Sequence, residues 1–111
     1  MKLALATLAA ALTLSSPAAF AGDAGTTAIE ALGKVNGIAL ACQQPAVASR
    51  ARNALVTTAP KTRANGEIFE NATNAAYLEQ GKGVACPDAA TLANLVGAAE
   101  KGLQSAFQGA R

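Results

Sequence analysis

Leu40-Ala41-Cys42-Gln43-Gln44-Pro45 and Val84-Ala85-Cys86-Pro87-Asp88 decide the fold. Cys42 ends one apolar, helix-patterned segment, Thr27–Cys42, and Cys86 stands just before another, Asp88–Phe107. The chain has 2 cysteines, so they read as one bridge in an oxidising compartment. A Cys42–Cys86 bridge staples the outer segments at one end and makes Pro45–Gln80 fold inside the loop. Closing a loop of about 45 residues is worth on the order of 4 kcal/mol by the chain-entropy argument.

Outward from the staple, the extreme N-terminus is expected to lie outside the domain. Lys2 supplies a positive start, and Leu3–Leu14 is an unbroken Leu/Ala/Thr run. Ser15-Ser16-Pro17 breaks it, and Ala19-Phe20-Ala21 is an A-x-A cleavage site. The run is too short to span the ~30 Å hydrocarbon core of a bilayer. Residues 1–21 therefore read as a cleaved signal peptide, with a retained anchor as the alternative, and residues 22–111 as a single helical domain. No cysteine follows the run to accept a lipid, and no later run is long enough to cross a membrane. The expected destination is the periplasm or the exterior of the cell.

Without Lys2, eight basic and seven acidic residues remain, a net charge of about +1. That balance argues against nucleic acid as a ligand, which requires a basic surface, and against polybasic attraction to an anionic membrane. A domain of this size buries only about two-thirds of its unfolded surface, so the bridge matters to its stability.

Gly22–Gly25 reads as a short flexible leader, and Thr27-Ala28-Ile29-Glu30 as a capping box. Ala28, Leu32, Val35, Ala39 and Cys42 fall on one face of the first helix, and Glu30 and Lys34 form an i,i+4 pair outside it. Gly33 and Gly37 weaken this helix by up to ~1 kcal/mol each; their use would be close approach of a neighbour. Pro45 suits the first position of a second helix, which runs to Thr58 before Pro60. Arg50 and Arg52 point to different sides of it. A third helix is expected over Lys61–Gln80, with Thr62, Asn65, Phe69, Ala72, Thr73, Ala76 and Gln80 as its inner face, Gly66 able to kink it, and Gly81 left-handed after its end. Asp88 opens the last helix, whose stripe is Leu92, Leu95, Val96, Ala99, Leu103, Ala106 and Phe107. The expectation is an all-α protein: a small four-helix antiparallel bundle with short connections, stapled by one disulfide.

The chemistry is defined largely by what is missing. With 0 histidines there is no Ser-His or Cys-His nucleophile pair and no ordinary zinc or haem ligation. The cysteines are not a C-x-x-C redox pair, and there is no phosphate-binding glycine loop or EF-hand loop. No cofactor or metal is expected. Glu67 and Glu70, three apart, are the one carboxylate pair that invites a small-hydrolase reading, which needs a second acid across a cleft. Otherwise Lys61, Arg63, Glu67, Glu70, Asn74 and Tyr77 form a concentrated polar set, either a partner-binding face anchored by Tyr77 or an ordinary wet helix surface.

Leu40-Ala41-Cys42-Gln43-Gln44, Ala59-Pro60-Lys61-Thr62-Arg63, Gly66-Glu67-Ile68-Phe69-Glu70, Ala72-Thr73-Asn74 and Cys86-Pro87-Asp88 together resemble a family of small, uncharacterised exported proteins of Gram-negative proteobacteria. The resemblance covers nearly all of the domain and implies a periplasmic or secreted helical protein. In plan alone the chain is also similar to the acid-stress chaperones of the enterobacterial periplasm, although Ala41 stands where those place an aromatic residue. The expected function is non-enzymatic binding of a protein partner or small apolar ligand, through an apolar groove between helices or the polar face of the third. The alternative is a chaperone that opens in acid as seven carboxylates protonate.

Overall fold

One helix has more apolar surface than a single neighbour can cover, and the other three arrange themselves around it. The computed structural model describes residues 16–108. Helix α1 spans Ser16–Ala41, α2 Pro45–Thr58, α3 Arg63–Gln80 and α4 Ala89–Gln108. The apolar run Leu3–Leu14 of the expected signal peptide lies outside the described residues. The chain direction alternates from helix to helix, as in an up-down bundle. Helix α1 packs against all three others and α2 also against α4, while α3 packs only on α1. Short connections were expected to make sequence neighbours into packing neighbours. For α2–α3 and α3–α4 they do not.

The reason lies in the glycines of α1. A Cβ on Gly33 would stand 2.6 Å from the Phe69 carbonyl oxygen and 2.8 Å from the Ala72 Cβ; on Gly37 it would meet the Thr73 carbonyl and stand 2.8 Å from the Ala76 Cβ. The absent side chains let α3 press its backbone onto α1, running parallel to it, with Gly33 and Gly37 set against Ala72 and Ala76. Close backbone approach of this kind draws on dispersion and Cα–H···O contacts rather than large side chains. It suits a chain poor in aromatics. Phe69, 2 % exposed, supplies the bulk at this seam.

A buried polar chain fixes the register of the same seam. The Thr73 hydroxyl donates to the Gly33 carbonyl at 3.1 Å and accepts from Asn36 Nδ2 at 3.1 Å. Asn36 Oδ1 is buried without a hydrogen-bond partner. On the other side of α1, Leu32, Val35 and Ala39 meet Val47, Ala48 and Ala51 of α2 and Leu92, Val96, Ala99 and Leu103 of α4 in one core. Burying each such aliphatic side chain contributes roughly 1.5–3 kcal/mol.

The ends of the helices follow local chemistry. Gln43 takes the left-handed position after α1 (φ 58), with Gln44 N–H donating to the Ala39 carbonyl at 2.8 Å. This is a Schellman end built on glutamine instead of glycine. Pro45 opens α2. Helix α3 starts at Arg63 rather than Lys61, because the Thr62 side chain accepts from Asn65 N–H at 3.1 Å and caps it. Asp88 caps α4 by accepting from Thr91 N–H at 2.8 Å.

Three local expectations are corrected. Gly22–Gly25 is helical and the Thr27 capping box is absent, since α1 already runs from Ser16. The cost of helical glycine is about 1 kcal/mol, and at Gly25 it is offset by packing, with Phe107 over it. Glu30 and Lys34 form no ion pair; the pairs among the described residues are Arg50–Glu100 and Lys82–Glu79. Gly81 stays right-handed (φ −68) and the positive φ falls at Gly83 (φ 95), where the loop turns back. The Gln80 side chain steadies that loop by donating to the Val84 and Ala85 carbonyls at 2.9 and 3.1 Å.

Cys42 and Cys86 are bonded, with Cα atoms 5.8 Å apart. Cys42 sits at the end of α1 and Cys86 just before the Asp88 cap, so the bridge ties the C-terminus of α1 to the N-terminus of α4. Four α-helices stapled by one disulfide is the architecture expected from the sequence.

Candidate functional site

Helix α1 carries a third stripe, of mixed apolar and polar residues, that no helix of the domain covers fully. Its arc toward α3 holds Gly33, Asn36 and Gly37, and its arc toward α2 and α4 holds Leu32, Val35 and Ala39. At 100° per residue, Thr27, Ala31, Lys34 and Ile38 share the remaining arc. A helix apolar on nearly every side is normally surrounded. Here α3 and α4 flank the stripe without packing on each other, and the stripe becomes the floor of a trough.

On the α4 side the trough is a cavity of about 1000 Å³, walled by Leu95, Ala98, Gly102 and Ser105. On the α3 side a second, smaller concavity of about 620 Å³ lies against Ile68, Asn71, Ala75 and Glu79. Lys34 lines both. Apart from Leu95, the α4 wall is built from small residues, so a bound group can approach that backbone closely. Among the described residues the α4 side includes no carboxylate; Glu30 and Glu79 lie on the α3 side. A Cβ on Gly102 would meet nothing within 4 Å, consistent with open space beside it. Leu95 is 40 % exposed at the rim, which leaves a large apolar side chain in water.

The polar set predicted on α3 is a regular outward stripe. Arg63, Glu67, Glu70, Asn74 and Tyr77 recur at spacings of four and three, and all are exposed, as is Lys61 in the link before the helix. None of them lines either half of the trough. Tyr77 is 48 % exposed. Glu67 and Glu70 both face solvent, away from the concave surfaces, so the geometry gives them no cleft to work across.

Sequence reasoning missed two features. Lys34 makes no ion pair with Glu30 or any other acid among the described residues and lines the trough instead, and Ala31, Ala98 and Gly102 carry no signal of their own. Arg50, which the sequence places only on a different side of α2 from Arg52, makes a two-pronged contact with Glu100: Nε donates to Oε2 at 3.0 Å and Nη2 to Oε1 at 2.8 Å. The bonded Glu100 carboxylate, and then its charge, raise the Arg50 pKa above its ordinary value. This pair locks α2 to α4 behind the trough, beside a small polar recess of about 250 Å³ lined by Asn53, Thr57 and Gln104. Among the described residues no three His, Cys, Asp or Glu side chains gather as a metal set, and no helix is long and apolar enough to cross a membrane.

Fold and site together define a small, disulfide-bonded, all-α domain with an open apolar trough. A scan against protein-family models and searches of curated proteins and of solved structures found no match.

Proposed function

We propose that the protein is a non-enzymatic binding module whose site is the trough between α3 and α4, floored by α1. The observation that carries this reading is the mainly apolar concavity between α1 and α4, lined by Ala28, Val35, Ile38, Leu95, Ala98 and Ala106. An apolar concavity of about 1000 Å³ with one cation on its floor is the usual form of a binding cleft: apolar for affinity, with few polar groups for orientation. The Cys42–Cys86 bridge supports a home in an oxidising compartment. With the leader at residues 1–21 and the resemblance to small exported proteobacterial proteins, it makes a periplasmic or secreted protein the reading we adopt.

The test places a photo-crosslinking residue at Ala98, in the trough wall, or at Ser49, on the exposed side of α2. Exposure to an envelope extract should give a discrete adduct from position 98 and none from position 49. Filling the trough with Ala31→Trp should abolish that adduct. Equal labelling from both positions would remove the trough as the site.

A further inference from the structure

We infer that the trough takes a single-chain anionic amphiphile, an alkyl chain ending in a carboxylate, with its head on Lys34 and its chain along the α4 side. This inference rests on the trough being the binding site and adds the chemical class of its ligand.

Size favours a small molecule. The α4-side concavity holds about 1000 Å³, at the upper end of the roughly 300–1,000 Å³ of small-ligand sites. Thirteen of the described residues line it. A stable protein interface takes more, about 20–30 residues from each partner.

The surface chemistry favours a chain over a ring. The floor runs from Ala24 to Ile38 of α1, about 20 Å at 1.5 Å per residue, so the site is elongated. Ala28, Ala31, Ala98 and Gly102 line much of it, and no aromatic side chain does among the described residues. An aromatic ligand therefore finds no ring to stack on. An alkyl chain needs no such partner, because its burial is favourable in proportion to area and has no preferred direction.

Charge selects the head group. Lys34 is the one charged side chain of the α4-side lining among the described residues, and the other polar side chains there, Thr27 and Ser105, are neutral. Glu30 stands one turn before Lys34 on α1, yet the two form no ion pair, which leaves the ammonium free to meet an anion. Lys34 also borders the α3-side concavity, where Glu30 and Glu79 stand, Glu79 with Lys82 at 3.6 Å. Those carboxylates make the α3 side the poorer place for an anionic head. The larger, acid-free α4 side receives the ligand.

The experiment titrates the oxidised protein by calorimetry with octanoate, decanoate, dodecanoate and dodecyltrimethylammonium, each below its micelle-forming concentration. Dodecanoate should bind at one site per chain, about fivefold more tightly than the cation of the same chain, a gap that narrows in high salt. Lys34→Glu, at an exposed position, should reverse that order. Each CH₂ removed from the carboxylate should weaken binding by about two- to fourfold, and Ala31→Trp should abolish binding of every probe. Equal affinity for the two head groups, affinity indifferent to chain length, or dodecanoate binding that survives Ala31→Trp would each overturn the proposal. No binding of any probe, with the position-98 adduct still formed, would overturn the amphiphile and leave the trough to another occupant. A concentration-dependent dimer that Ala31→Trp dissolves would name that occupant as a second copy. Loss of the adduct as well would overturn both readings.

Discussion

Asn36 Nδ2 and Thr73 Oγ1 meet at 3.1 Å across the α1–α3 seam, in a position where Asn36 is 2 % exposed and Thr73 7 %. This is the only hydrogen bond between two side chains across α1 and α3 among the described residues, and the Thr73 hydroxyl relays it to the Gly33 carbonyl. Thr73→Val keeps the shape and orphans the Asn36 amide, so chemical denaturation should show a loss of roughly 1–3 kcal/mol. The double variant Asn36→Leu, Thr73→Val should lose less than the sum of the single changes, because no polar group then remains unpaired. Strict additivity would mean that the bond does not hold the seam.

Glycines at matched helical positions should respond with opposite sign. Gly37→Ala drives a methyl group into the Thr73 carbonyl and should cost at least about 1–3 kcal/mol, the range for overpacking. Gly66→Ala and Gly102→Ala meet nothing within 4 Å and should each raise stability by about 0.5–1 kcal/mol, measured by thermal or urea unfolding. Equal effects at Gly37 and Gly66 would contradict the close approach of α3.

Much of this fold is legible in the sequence because it is local. The two cysteines announce the staple, Pro45 and Asp88 open their helices, and Phe69 and Thr73 fall on the inner face of α3 by spacing alone. The spacing of four between Gly33 and Gly37 shows that something comes close but not which helix does. The start of α1 was misread because a glycine-rich stretch looks like a leader until Phe107 covers Gly25. The trough was legible only as a groove of unspecified walls. It exists because α3 docks on α1 alone and leaves Ala31 and Lys34 uncovered, a tertiary outcome that no residue encodes by itself.

Replacing both cysteines by alanine removes the bridge across a sequence separation of 44 residues and should lower stability by on the order of 4 kcal/mol. Circular dichroism should still report helices at low temperature, with a transition several degrees lower or more. An unchanged transition would show that the Gln80 contacts alone hold the α3–α4 loop.

Acid should act at the α4 cap. The hydrogen bonds from Thr91, backbone first, hold the Asp88 carboxyl below its ordinary pKa. A carboxylate depressed in the folded state contributes stability above its unfolded pKa and loses it as pH falls through the folded value. The melting temperature of the wild type should therefore exceed that of Asp88→Ala at pH 7, and the two should converge below about pH 4. A constant difference down to pH 2 would remove the cap as its source.

The most direct test of the central claim is binding of an environment-sensitive apolar dye, such as N-phenyl-1-naphthylamine, to the folded, oxidised protein at neutral pH. The account predicts saturable fluorescence enhancement at one site per chain, lost in Ala31→Trp while thermal stability is retained. No enhancement from the native wild type, or an enhancement that survives filling of the trough, would contradict it.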